Sequence, residues 1–255
     1  MNWVKTAEEI KTIEDRLATP EFLDGHYLTL TFLTRPEFIA RVLPPPLMPA
    51  SQPLVSAGVA TFGKSNCVGA FAGGAVNVLA RYNDIEAEYC LVMPMSTDVA
   101  LIFGRELFGE PKKQARARLS LNGDTARGSV ERYGIEYMGL EANLGEPVAI
   151  TGPAHLRRFH FKFMHAANGR GLEFDPILVM VEFRTELQLM RRGTGKVIFR
   201  RSHHDPVSEI EIVEMREAVY TEGDLYAKAR RLTTVPAEKF LPYSFQNIDD
   251  YTLVE

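Results

Sequence analysis

Cysteine is nearly absent from the 255 residues. Cys67 and Cys90 are the only two, and Trp3 is the only tryptophan. Two cysteines give no zinc-site spacing and suit a reducing cytoplasm, where each reads as a small buried hydrophobe rather than a nucleophile. No apolar run approaches the ~20 residues of a membrane span. Residues 1–9 have no cationic stretch followed by an apolar one, so no signal peptide is expected and the localisation read is cytoplasmic. Positive charge is also short: 29 Lys and Arg stand against 33 Asp and Glu, a net charge of −4. Neither nucleic acid nor a membrane is therefore an expected partner. Gly193-Thr194-Gly195-Lys196 is too short for a phosphate-binding loop, no nucleophile-elbow pattern occurs, and no histidine pair has metal-ligand spacing. No metal and no cofactor are expected.

What is present is the composition of a globular chain with a full core, 45% hydrophobic and 24% charged. No composition break marks a linker, so residues 1–255 read as a single domain. A polar helix is expected over 5–17. Leu28, Leu30 and Phe32 then alternate with threonines, the period of a half-buried strand. Thr34 is placed to cap a helix over Pro36–Val42, which the three prolines 44–46 stop. Strands follow over 54–62, 75–82 and 89–95.

Ser96-Thr97-Asp98 offers caps for a helix over Val99–Phe108, ended by Gly109 and Pro111. Beyond it the pattern is mostly strands. Asn122-Gly123-Asp124 marks one hairpin, and Arg191–Gly195 reads as another between strands 177–190 and 196–200. Phe159, Phe161 and Phe163 alternate with Arg158, His160 and Lys162, which places His160 on an exposed polar face. Arg157-Arg158 and Arg191-Arg192 read as solvated strand positions or subunit contacts. With frequent turns and few helices, the expected class is α+β and β-rich: antiparallel strands closing into a barrel-like single domain with a few surrounding helices.

The chemistry concentrates in Gly104-Arg105-Glu106-Leu107-Phe108-Gly109-Glu110-Pro111-Lys112-Lys113. Near neutral pH an ordinary lysine, with a pKa of ~10.4, holds almost no free amine. A neighbouring ammonium or a dry wall disfavours the charged form, and the freed amine can condense with a ketone to a Schiff base. Successive residues of an extended segment point to opposite faces, so only one of Lys112 and Lys113 can enter a pocket directly. Glu106 and Glu110 lie one helical turn apart and are candidates for proton transfer.

This segment, with Arg41–Leu47 and Gln52–Val55, resembles the signature of the acetoacetate decarboxylase-like superfamily over about residues 20–245. Acetoacetate decarboxylase is itself the standard example of a lysine activated by an adjacent cation. The resemblance implies a β-cone surrounded by helices, Lys112 as the Schiff-base nucleophile, Lys113 as its neighbouring cation, and a homo-oligomer of tetrameric or larger size. Decarboxylases of this type carry a pocket arginine and two pocket glutamates. Those positions fall here near Gly25 or His26, Gly58 and Gly73. Glu110 stands where they carry an aromatic or neutral residue.

The departures favour a Schiff-base lyase acting on a 2-oxo acid such as pyruvate, either an aldolase-dehydratase or a hydratase of an unsaturated 2-oxo acid. An acetoacetate-type β-keto acid decarboxylase and a non-catalytic small-ligand-binding β-barrel are the alternatives. Phe71 and Met93 are expected to wall the pocket. Tyr243 is the candidate for holding the substrate carboxylate.

Overall fold

The computed structural model describes residues 3–253. Helix α1 (Ala7–Ala18) starts with a capping box in which Thr6 and Glu9 satisfy each other's backbone N–H groups. Strand β1 (Glu21–Leu33) leads to α2 (Pro36–Val42), the short β2 (Met48–Pro49), and the strands β3 (Leu54–Ser65), β4 (Phe71–Tyr82) and β5 (Ile85–Met95). Helix α3 (Asp98–Phe103) and a π-helical turn (Gly104–Phe108) precede β6 (Lys112–Gln114). The hairpin strands β7 (Arg116–Asn122), β8 (Thr125–Arg132) and β9 (Ile135–Pro147) follow. The long strands β10 (Ala154–Lys162), β11 (Ile177–Phe199) and β12 (Glu214–Thr234) come next, and α4 (Ala237–Phe240) and a 3-10 turn (Leu241–Asn247) are the last regular elements among the described residues.

Seven strands close on themselves in the order β10-β5-β4-β3-β1-β12-β11, with β11 pairing back onto β10. Closure removes both sheet edges from this part of the molecule. The first half of β11 pairs with β10, and its second half leaves the ring to pair with β9. The β9-β8-β7 arm then folds over the outer faces of β3 and β4. There Gly128 lies against Val59, and Gly74 against Val130 and Met138.

Strand alternation therefore sorts the apolar residues into two cores. Leu28, Leu30, Phe32, Val76 and Val78 point outward under the arm and join the larger core. Phe22, Phe62, Met93, Val181 and Phe183 point into the barrel and form the smaller one. Burial of apolar area at roughly 25 cal/mol per Å² makes both cores major contributors to stability.

Several sequence expectations change. The hairpin read at Arg191–Gly195 does not exist, because β11 runs through it as one strand paired on both sides. Gly193 and Gly195 serve close strand approach instead: a Cβ at either would overlap the backbone carbonyl of Asn143 or Glu141. Arg191 is folded onto the β7–β8 turn, where it pairs with Asp124. Arg35, not Thr34, occupies the N-cap of α2, while the Thr34 hydroxyl is buried without a partner. Among the described residues no helix is long and apolar enough to cross a membrane.

Candidate active site

The expected helix over 99–108 divides in two. Thr97 caps α3 by accepting from the Ala100 N–H, and after Phe103 the chain widens into the π turn. Such turns recur at functional sites because the extra residue re-aims the chain beyond it. Here the Gly104 carbonyl accepts from the N–H groups of both Gly109 and Glu110. Gly109 closes the turn in the left-handed region, with φ of 74°, where an L side chain would be strained. A Cβ there would also run into the β10 backbone at Phe161 and Lys162. The turn thus delivers Pro111 and Lys112 onto the edge of β5, and Lys112 pairs in register with Met93.

Lys112 is 6% exposed and its amine points into the barrel. Nζ donates to the Ala100 carbonyl at 3.0 Å and lies 2.8 Å from Glu110 Oε2, an ionic contact rather than an aligned hydrogen bond. Gly104 makes room for this pair, because a Cβ on it would overlap both the Glu110 carboxylate and the Lys112 amine. Burial opposes charge on Glu110. The Lys112 ammonium, helped by His160 and Arg158, outweighs that cost and holds the carboxyl below the ordinary carboxylate range.

Lys113 points the opposite way. Its amine donates to Asp205 at 3.0 Å and to the His204 carbonyl at 2.7 Å, and it lies 3.5 Å from Asp249. Arg132 closes this cluster with contacts to Asp205 at 3.1 Å and Asp249 at 2.7 Å. Asp249 is held well below the usual aspartate range, first by the Arg132 hydrogen bond. Lys113 is therefore neutralised by carboxylates on the far side of β6. The resemblance assigned it the part of an activating cation, and this placement does not supply one.

The barrel interior holds a cavity of about 240 Å³ that includes Lys112 and Glu110. Phe71 and Met93 both line it. The ring of Phe71 stacks on Phe62 at 4.7 Å and meets Phe22 edge-on at 5.8 Å. The positions aligned with the family's glutamates, Gly58 and Gly73, also border the cavity, so no carboxylate enters from them. Tyr27, adjacent to the pair aligned with the family's arginine, lines the cavity with a buried hydroxyl that has no partner. Burial first, and Asp224 second, push that phenol far above its ordinary pKa, so it stays a neutral O–H donor.

Two residues that the sequence reading placed on the surface, His160 in solvent and Arg158 in solvent or at a subunit contact, lie in the barrel. Arg158 lines the cavity, its side chain 22% exposed, with Nε donating to Glu88 at 2.8 Å. His160 is 1% exposed, and neither of its ring nitrogens has a hydrogen-bond partner. The reason is topological: β10 pairs on both edges, with β5 and β11, so its polar face looks into a closed barrel. Its Phe159 and Phe161 lie outward in the larger core, where Phe161 packs on Phe240 of α4. Burial pushes His160 down to about 4 despite Glu110, whose Oε1 is 4.0 Å from Nε2.

The remaining candidates are not gathered there. Glu106 is exposed on the outer side of the turn and borders a second depression with Arg105 and His165, which Glu110 also lines but Lys112 does not. Tyr243 packs beside Phe240 in the outer core and does not border the cavity, so this arrangement gives it no hold on a substrate carboxylate. Arg158, Tyr27 and the Asp205–Asp249 cluster carried no sequence signal, because each is assembled from segments far apart in the chain. Among the described residues no group of three or more acidic, His or Cys side chains is arranged to hold a metal ion.

Comparison with known proteins agrees with this fold. The chain is 26% identical over 215 residues to an acetoacetate decarboxylase of Burkholderia vietnamiensis, covering 80% of this chain and 84% of that relative. In fold it is similar to the acetoacetate decarboxylase of Legionella pneumophila, with a TM-score of 0.77 at 17% identity over 84% of this chain and 87% of that one. It is also similar to the enduracididine biosynthesis enzyme MppR complexed with the condensation product of pyruvate and imidazole 4-carboxaldehyde. There the TM-score is 0.72 at 16% identity, over 84% of this chain and 89% of that one. The family model for acetoacetate decarboxylase (ADC) matches residues 10–235. Spanning most of the sequence and including every residue of the Lys112 site, that match places the chain in the acetoacetate decarboxylase family of enzymes.

Proposed function

We propose that the protein is a Schiff-base lyase that condenses or hydrates keto acids, with Lys112 as the nucleophile. The observation that carries the reading is the buried Lys112 amine, aimed into an apolar cavity and paired with a single carboxylate, Glu110. Glu110 rests as a carboxylate that holds Lys112 as an ammonium, and at 2.8 Å it is the group placed to relay the proton that Lys112 must lose before it attacks. Nζ then bonds to the ketone carbon, and the carbonyl oxygen leaves as water. The resulting iminium draws electrons from the neighbouring carbon, whose proton passes to a base to give the enamine.

With pyruvate, that enamine carbon attacks the carbonyl carbon of an aldehyde, whose oxygen becomes a hydroxyl and leaves as a second water. Hydrolysis of the iminium consumes one water and frees Lys112 and an unsaturated 2-oxo acid. The net reaction is one pyruvate and one aldehyde giving one conjugated product and one water. Phe71 and Met93 serve as desolvating walls, and the neutral Tyr27 hydroxyl is placed to donate to a departing or entering oxygen. Assembly into a tetramer or larger even-numbered oligomer belongs to the same reading.

Two things support condensation over CO2 loss: the uncharged Gly58 and Gly73 at the cavity wall, and the MppR complex with a pyruvate condensation product. The name shared by the curated relatives favours the second reading, β-keto acid decarboxylation. Incubation with pyruvate and an aromatic aldehyde should produce a new near-ultraviolet band, with little CO2 from acetoacetate. Rapid acetoacetate decarboxylation with no condensation product would reverse the two readings.

A further inference from the structure

We infer that Arg158 is the carboxylate anchor of this cavity, and that the cavity takes keto acids bearing an apolar, ring-sized substituent. This rests on the Schiff-base reading for the reaction but not for the binding. Glutamates from β3 and β4 are missing here, and Tyr243 lies elsewhere, so an anion entering the barrel needs another cation. Lys112 is committed to Glu110 and Lys113 to Asp205 and Asp249. Arg158 is the other cation that lines the cavity.

Its placement is built rather than incidental. Strands β6 and β10 both pair in parallel with the same edge of β5, β6 at Met93–Met95 and β10 at Glu88–Tyr89. Lys112 and Arg158 thus project into the barrel from successive segments along one strand. Arg158 also comes close enough to Glu110 to help hold its carboxyl down. Nε of Arg158 is fixed by Glu88 Oε2, and Glu88 Oε1 accepts from the Ser56 hydroxyl, which in turn accepts from Asn77. The guanidinium lies over the Phe183 ring at 5.4 Å, which fixes its plane.

Among the described residues, only Nε of the guanidinium donates a hydrogen bond, leaving both terminal nitrogens for a ligand. Arginine with its plane fixed in this way suits a carboxylate, which it can engage with two parallel N–H donors.

The rest of the wall sets the tail. About 240 Å³ exceeds the roughly 150 Å³ that takes up a benzene ring, and so leaves space beyond a three-carbon keto acid. Phe22, Phe62, Phe71 and Phe103 cluster around that space, Phe103 meeting Phe22 edge-on at 6.3 Å. Carbonyl at Lys112, carboxylate at Arg158 and ring among these phenylalanines describe one ligand class.

Calorimetry with phenylbutyrate, which has no ketone to react, tests the anchor apart from the chemistry. The wild-type protein should bind it, and Arg158→Met should weaken binding by about 10- to 100-fold, the usual worth of a charge-assisted hydrogen-bond pair. Phenylbutanamide should bind both proteins alike, and Phe71→Ala should weaken phenylbutyrate and phenylbutanamide alike. Should Arg158→Met fold poorly because Glu88 is left unpaired, the double variant Glu88→Gln with Arg158→Met gives the same reading. Unchanged phenylbutyrate affinity in a folded Arg158 variant, or equal loss for acid and amide, would overturn the anchor. Borohydride capture of benzylpyruvate by the wild-type protein, followed by intact mass, reports the Schiff base separately. Binding without capture would count against Lys112 chemistry and leave the anchor standing.

Discussion

Lys112 and Lys113 are adjacent, equally buried and chemically identical, yet they sit in opposite electrostatic settings. Lys113 faces two aspartates and shares them with Arg132, so it closes a charge cluster tying β6 to the 3-10 end of the chain. Lys112 faces one glutamate and an apolar cavity. A buried ion pair is weak evidence for stability in general, but breaking one is costly because a charge is stranded. The pairing of each lysine therefore separates their settings: one cation is saturated by carboxylates, the other has a single carboxylate partner and faces the cavity. The pleat of a three-residue strand produces this division.

The largest expected effect is at Lys112 itself. Lys112→Ala should abolish covalent capture of any keto acid after borohydride reduction. Because that change strands Glu110, the double variant with Glu110→Gln should keep the fold while remaining inert, as circular dichroism and intact mass would show. Residual capture in the double variant would place the nucleophile elsewhere.

Lys113→Met should do the reverse. It leaves Arg132 as the remaining cation for Asp205 and Asp249, with the Tyr133 hydroxyl still donating to Asp249, and should cost up to about 3 kcal/mol of stability, while the folded fraction still captures substrate. A melting temperature unchanged from the wild type would dissolve the contrast between the two lysines.

Gly104→Ala is expected to fall between them. The added methyl overlaps the Glu110–Lys112 pair, so capture should slow, and stability should drop by about 1–3 kcal/mol as in other overpacked sites. Denaturant unfolding and trapping rates on the same sample would separate the two losses.

The last expected effect concerns pH. His160 titrates near 4 in the fold against an ordinary value near 6.5, so between those limits the unfolded chain binds the extra proton. Stability should accordingly be full above about pH 6.5 and fall as pH drops toward 4, by on the order of 3 kcal/mol from this residue. Glu110, also depressed, adds loss in the same direction at lower pH. His160→Gln should flatten the slope in that window, and an unchanged slope would mean that other groups set it.

Strand alternation was readable wherever one face is dry and the other wet. The β7 and β8 hairpin around the Asn122–Asp124 turn is such a place. The Leu28–Leu30–Phe32 register was readable because threonines alternate with its apolar residues, and the helix stop at Gly109 from glycine itself. It failed where closure gives a strand two dry faces, as at His160 and Arg158, since polar residues then face a barrel interior instead of water. It failed again at Gly193 and Gly195, where glycine answers a neighbouring strand's carbonyl and not a turn. Lys112 and Glu110 stood out because the motif is local. Tyr27, Arg158 and the Asp205–Asp249 cluster meet only through long-range pairing, for which single-chain spacing holds no signal.

The most direct test of the division between the lysines is to reduce the wild-type protein with borohydride in the presence of pyruvate, digest it, and locate the modified residue by mass spectrometry. A single adduct on Lys112, with Lys113 unmodified, is the expected result. An adduct on Lys113, or none on either lysine, would contradict it.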